Sequence, residues 1–248
     1  MKRFDNTLTL ITGGGSGIGL ATAKRIAVEG GRVVLVGRTL ETLQNAIEQI
    51  PGTGHRAETV DCTDENAVKS LLRDLSQELG RFDAAILSAG KHELRPMAVA
   101  NNSHFEDQFR GNVIATTTVA RQFTRVVKPE GGSLVIVSSA AGIRGGAAAA
   151  AYSTAKAGLL GLARVLAVEL ATKGIRVNTV LPGVVATQMT DRFFANLGSK
   201  QIEEIESQHL LGLGKAEDVA SAAAFLASED ARWMTGSELT VDGGLTCK

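Results

Sequence analysis

Tyr152 and Lys156 stand four residues apart in Tyr152-Ser153-Thr154-Ala155-Lys156, a spacing that puts both side chains on one face of a helix. Ser139 lies thirteen residues before Tyr152, at the end of the apolar run Leu134-Val135-Ile136-Val137-Ser138. These three residue types can handle a proton at an oxygen. Reducing a carbonyl takes a hydride donor and an acid that protonates the forming alkoxide. A free tyrosine has a pKa of about 10, too high to serve as a base near neutrality. A neighbouring ammonium stabilises phenolate and lowers that value, and a serine hydroxyl can hold the substrate oxygen against the tyrosine. A bare Tyr-x-x-x-Lys is equally explained by packing at a helix start beside a surface lysine. Here Tyr152 is the only tyrosine in the chain, and it follows a site-facing serine and a nucleotide-type turn.

That turn is Gly13-Gly14-Gly15-Ser16-Gly17-Ile18-Gly19, set between Leu8-Thr9-Leu10-Ile11-Thr12 and the helical Leu20-Ala21-Thr22-Ala23-Lys24. Glycines allow a tight turn, close approach of the backbone to phosphate oxygens, and close helix–strand packing. A helix opening here offers unpaired N–H groups and the positive end of its dipole to a pyrophosphate. The spacing Gly13-x-x-x-Gly17-x-Gly19 is not G-x-G-x-x-G, and no Gly-Lys-Ser/Thr follows to make a P-loop. Its place between the first strand and first helix favours dinucleotide binding over a plain turn. An acid about 20 residues further on would bind the ribose 2′-hydroxyl of NAD. The second strand instead ends Val36-Gly37-Arg38-Thr39. The planar fork of Arg38, with Thr39 beside it, suits a 2′-phosphate, so the cofactor read here is NADP(H).

The elements that must position these residues alternate along the chain. Strands are expected at Leu8–Thr12, Arg32–Val36, Arg56–Val60, Ala84–Ser88, Ser133–Ser138, Arg176–Leu181 and Glu238–Val241. Helices are expected near 17–29, 39–49, 64–79, 103–127, 152–173 and 216–227. Such alternation predicts βαβ units and an α/β fold, a doubly wound parallel sheet of Rossmann type in a single domain. Sites then fall at the carboxyl ends of the strands. The stretch from Thr187 to Gly214 breaks the rhythm and is expected to form a lid.

Basic and acidic residues balance at 26 each, so nothing steers nucleic acid or an anionic membrane to the chain. Cys62 and Cys247 form no C-x-x-C pair, which points to a reducing compartment. No signal h-region and no membrane-length apolar run occurs, so the chain reads as soluble and cytoplasmic. His55, His92, His104 and His209 are scattered without ligand spacing, and no metal is expected. Trp233, just before the last strand, reads as packing, and Glu41 and the acids of 203–206 as solvated helix faces.

In its ordered motifs the chain resembles the classical short-chain dehydrogenases/reductases over nearly its full length, especially 3-oxoacyl-carrier-protein-reductase-like enzymes. The motifs are Thr12-Gly13-x-x-x-Gly17-x-Gly19, Asp61, Ser88-Ala89-Gly90, Asn112, Ser139, Tyr152-x-x-x-Lys156, Pro182-Gly183 with Thr187, and Thr235-Gly236-Ser237-Glu238-Leu239-Thr240-Val241-Asp242-Gly243-Gly244. The resemblance implies that Asn112 orients a water linking Lys156 to solvent. It implies that Asp61, with the Cys62 backbone beside it, contacts the adenine amino group. It further implies that Ala89 and Gly90 approach the adenosine ribose. Thr187 and the turn through Pro182, Gly183 and Val185 would bind the nicotinamide carboxamide, and Tyr152 and Lys156 would also touch the cofactor. The family's usual Asn-Asn-Ala-Gly is here Leu87-Ser88-Ala89-Gly90, which removes local amides.

A non-catalytic NADP(H)-binding regulator or scaffold of the same fold is the competing class, and the intact Asn112, Ser139, Tyr152 and Lys156 speak against it. A nucleotide-sugar epimerase would need a larger substrate domain than this length allows. Residues 140–151 are almost all Ala and Gly, with Arg144 as a cation available to an anionic substrate end. The 152–172 pattern is apolar on much of its circumference and needs cover on more than one side. A partner subunit would supply that cover, which predicts a homotetramer, or at least a homodimer; the resemblance implies the same, with the 103–127 helix joining the interface.

Overall fold

The computed structural model describes residues 2–247. Seven parallel strands form one sheet in the order β3-β2-β1-β4-β5-β6-β9. They are β1 (Leu8–Thr12), β2 (Arg32–Gly37), β3 (Arg56–Thr59), β4 (Ala84–Leu87), β5 (Gly132–Val137), β6 (Ile175–Pro182) and β9 (Glu238–Val241). β1, β4 and β5 are buried almost end to end, as strands covered on both faces must be. Strand order runs outward in both directions from the β1–β4 pair, so that pair is the topological switch point where ligands bind in doubly wound sheets.

Six helices cover the faces. On one side α3 (Glu65–Leu79), α5 (Ala115–Val126) and α6 (Ala150–Leu170) bury Leu72, Phe123 and Leu159 against the sheet. On the other, α1 (Gly17–Val28), α2 (Leu40–Ile47) and α9 (Ala216–Ala227) bury Ile26, Leu43 and Val219. Asp64 caps α3, its carboxylate accepting from the Ala67 amide at 3.0 Å.

Two expected elements come out differently. The single helix over 103–127 is α4 (Asn102–Phe109), a π-helical turn (Arg110–Ile114) and α5. Asn112 Nδ2 donates to the Gln108 carbonyl at 2.9 Å, the acceptor an α-helical Asn112 amide would use, and Ala115 N–H bonds back to the Arg110 carbonyl. The stretch 187–214 holds α7 (Gln188–Phe194) and α8 (Ser199–Ser207). A two-stranded ribbon closes it, with β7 (Val185–Ala186) paired to β8 (Gly214–Lys215).

Candidate active site

β5 and α6 meet at the reacting residues. Ser139 follows β5 and caps a short turn, its Oγ accepting from the Ala141 amide at 3.1 Å. Ser138 Oγ donates to the Lys156 carbonyl at 2.9 Å, tying the strand end to the second turn of α6. Tyr152 sits half-buried on the first turn. Burial pushes its phenol above the ordinary tyrosine value, and the neighbouring Ser139 hydroxyl pulls the other way.

Lys156 is buried, and burial brings its amine down to about 8. Its Nζ donates to the Val137 carbonyl at 3.0 Å and lies 5.8 Å from the centre of the Tyr152 ring. The expected lowering of the phenol by the ammonium is therefore not what this geometry gives. The ammonium is drawn to the end of β5, and burial is the larger influence on the phenol.

Asn112 is wholly buried in the π-helical turn. Its Nδ2 donates to the carbonyls of Lys91 and Gln108, both at 2.9 Å, while Oδ1 accepts from the Lys91 amide at 3.2 Å. Both donors are spent, which leaves Oδ1 and the main chain of the turn to meet a water. A Cβ on Gly90 would fall 2.8 Å from Asn112 Oδ1 and 3.4 Å from Lys156 Nζ. The β4 loop, the π-helical turn and α6 thus converge on one small space that tolerates only glycine.

The glycine turn lies at the carboxyl edge of β1. A Cβ on Gly19 would come within 2.3 Å of the Gly13 carbonyl oxygen, so the close helix–strand approach requires glycine. Ser16 is the N-cap of α1 with its side chain uncommitted, and the first turn carries no acid. With Gly15 and Ile18, this forms a cradle of free amides fit for a pyrophosphate. The Ala89 amide donates to Thr12 Oγ1 at 3.2 Å, which sets the Ser88–Gly90 loop beside the turn. Across from it, Thr187 stands at the N-terminal end of α7 without a capping hydrogen bond and packs its methyl close to Gly17. The Pro182–Val185 turn is fixed by Gly183 N–H to the Val241 carbonyl and Val184 N–H to His209 Nε2, both 3.1 Å.

Arg38 and Thr39 are exposed at the tip of β2, and Arg38 has no ion-pair partner among the described residues. Asp61 Oδ1 accepts from the Thr63 amide at 2.8 Å, and contact with Thr63 holds its carboxyl below the usual range, helped by Arg38 and Arg110. Cys62 packs its side chain into the core, where burial pushes the thiol up to about 11, so only its backbone faces the site.

Several residues at the site escaped the sequence. Arg110 reaches Thr63 Oγ1 at 3.3 Å beside Asp61. The buried His209 spends both ring nitrogens on backbone, one on Val184 and the other, at 2.9 Å, on Ile205. The ring of His92 stands edge-on to Tyr152 at 4.7 Å and to Phe193 at 5.3 Å. Its only sequence signal was a position two residues past Ser88-Ala89-Gly90. Arg144, read as a free cation, instead donates to Gln208 at 3.1 Å. Trp233, read as packing, is 97% exposed. Among the described residues, no cluster of His, Cys, Asp or Glu is arranged to hold a metal, and no helix is long and apolar enough to cross a membrane.

Residues 13–246 match the family described as Enoyl-(Acyl carrier protein) reductase. The chain is 32% identical to a 3beta-hydroxysteroid dehydrogenase of Mediterraneibacter gnavus over 269 aligned positions, covering 99% of this chain and 97% of that protein. It is also 32% identical to the 3-oxoacyl-(acyl-carrier-protein) reductase of Escherichia coli, covering 98% of each. A solved short-chain dehydrogenase/reductase from Burkholderia xenovorans superposes with a TM-score of 0.94 at 32% identity, over 100% of this chain and 99% of that one.

Proposed function

This chain belongs to the classical short-chain dehydrogenases/reductases, of the 3-oxoacyl-carrier-protein-reductase-like kind, and from that premise we propose that it is an NADP(H)-dependent oxidoreductase acting on a carbonyl/secondary-alcohol pair. The observation that carries the reading is the placement of Tyr152, with Ser139 beside it and Lys156 and Asn112 facing one small space at Gly90. When bound, the reduced cofactor supplies the hydride. Tyr152 gives its phenolic proton to the forming alkoxide, and Ser139 holds the same oxygen by a hydrogen bond. Lys156 and Asn112 hold the route by which that proton is replaced from solvent.

The cofactor's phosphates would lie along the turn Gly13–Gly19, on the amides of Gly15, Ser16, Gly17, Ile18 and Gly19, while Gly13 N–H donates to the Val36 carbonyl at 2.8 Å and holds the turn to β2. Asp61 and the Cys62 backbone would take the adenine, Ser88, Ala89 and Gly90 the ribose, and Pro182, Gly183, Val185 and Thr187 the nicotinamide end. Arg38 and Thr39 favour NADP(H), because an uncommitted guanidinium at the tip of β2 can grip a 2′-phosphate and no acid stands there to repel it. Charged hydrogen bonds are worth about 1.5–3 kcal/mol, or roughly 10–150-fold in affinity. NADPH and NADH oxidation is therefore measured against a panel of carbonyl compounds, in wild type and Arg38→Ala. The variant is expected to weaken NADPH by that order and barely touch NADH. A wild type that uses both cofactors alike counts against the assignment, and NADPH binding without turnover of any carbonyl favours a binding protein instead.

We further propose that 187–214 is a substrate lid, and that the chain works as a cytoplasmic homotetramer or homodimer on small molecules.

A further inference from the structure

His92 is wedged between the proposed acid and the proposed lid. Two edge-on contacts, to Tyr152 at 87° between planes and to Phe193 of α7 at 82°, fix how its ring stands. His55 and His209 spend ring nitrogens on backbone groups. His92 makes no such bond among the described residues, and its half-buried ring keeps its nitrogens open rather than sealed in the interior. Burial, and then the charge of Lys156, hold its pKa below the ordinary histidine value. At neutral pH the ring is thus uncharged, one nitrogen donating and the other accepting.

A substrate whose carbonyl oxygen rests on Tyr152 displaces water from this ring. An imidazole stripped of water and left without a partner costs free energy. A substrate with a second oxygen beside its carbonyl repairs that loss, and a plain ketone does not. Sites that hydrogen-bond a substrate hydroxyl reject the analogue lacking it, for this reason.

We propose that His92 is a specificity-determining residue that hydrogen-bonds a second substrate oxygen next to the reacting carbonyl, so that α-oxygenated carbonyl compounds are preferred over simple ketones. The proposal rests on the oxidoreductase reading above. Phe193 brings the proposed lid into the same selection, since its ring also packs edge-on with the imidazole.

The test compares hydroxyacetone with butanone, which differ by a hydroxyl in place of a methyl. The quantity read is the ratio of their kcat/KM values with NADPH. His92→Phe retains an aromatic ring for both edge contacts and removes the nitrogens. It is expected to lower the ratio about tenfold or more, and His92→Gln, which restores a donor and an acceptor, to recover part of it. An unchanged ratio in His92→Phe overturns the proposal, as does a fall that His92→Gln leaves untouched. A second readout needs no turnover: the ring-nitrogen NMR signals of His92, assigned by their loss in His92→Phe, should shift on adding hydroxyacetone with NADP⁺ and stay with butanone. A shift without turnover of any carbonyl keeps His92 as a ligand-binding residue and sinks the oxidoreductase reading. No shift, whether or not turnover occurs, sinks the His92 proposal.

Discussion

Lys156 shows at the residue scale how position changes a group's chemistry. The spacing Tyr152-x-x-x-Lys156 was legible, and so was its helix, because side chains four apart share a face. What the spacing could not carry was the direction of the ammonium, which depends on the Val137 carbonyl brought in by β5. The consequence is measurable in stability. An unfolded lysine titrates near 10.4 and the folded one at about 8. Between those values the unfolded chain holds a proton that the folded chain has given up, so stability rises with pH across that window. Below about pH 8 both states are protonated and the contribution is flat and at its lowest. Urea unfolding of wild type should therefore gain about 3 kcal/mol relative to Lys156→Met from about pH 7 to about pH 10.4. A difference that stays level across the window contradicts the buried, down-shifted amine. His92 and Arg110 were invisible for the same reason as the ammonium's direction: each acts through a neighbour distant in sequence.

At the scale of elements, strands and helices followed from the alternation of β-rich and helical runs, with Leu8–Thr12, Glu238–Val241 and 216–227 placed as expected. The π-helical turn was not legible, since its register depends on Asn112 competing for the Gln108 carbonyl and bonding to the loop after β4. The 187–214 stretch reads as a break in rhythm and an expected lid, with its acids 203–206 on a helix face, where α8 lies. Its anchoring is tertiary: His209 ties the end of α8 to the exit of β6. Replacing it by alanine leaves the Val184 N–H and the Ile205 carbonyl without those partners, at about 1–3 kcal/mol for a buried unsatisfied group. His209→Ala is expected to speed trypsin cleavage after Arg192 and Lys200 several-fold and to raise KM more than it lowers kcat. An unaltered cleavage rate would show that the ribbon alone holds the proposed lid.

For the whole molecule, the outer side of α6 leaves Val165 54% and Val168 77% exposed, and Phe109 at the end of α4 is half in solvent. The sequence marked α6 as apolar all round. The structure separates the buried stripe through Ala155, Leu159, Ala163 and Leu170 from these outward valines, and it buries Leu160 as well. In the proposed homotetramer or homodimer a second copy would cover them. Covering a valine is worth about 1.5–3 kcal/mol, so Val168→Glu should weaken self-association about tenfold or more in light scattering. A wild type that is monomeric at all micromolar concentrations rules the assembly out. The proposed activity depends on one group, Tyr152, donating a proton at the meeting point of β5 and α6. Its most direct test is Tyr152→Phe, which keeps the ring that His92 packs against and removes only the hydroxyl. Steady-state NADPH oxidation should fall about 10²–10⁴-fold while NADPH binding, measured by titration, stays at the wild-type value. Turnover near wild type in a variant that still binds NADPH would contradict Tyr152 as the acid.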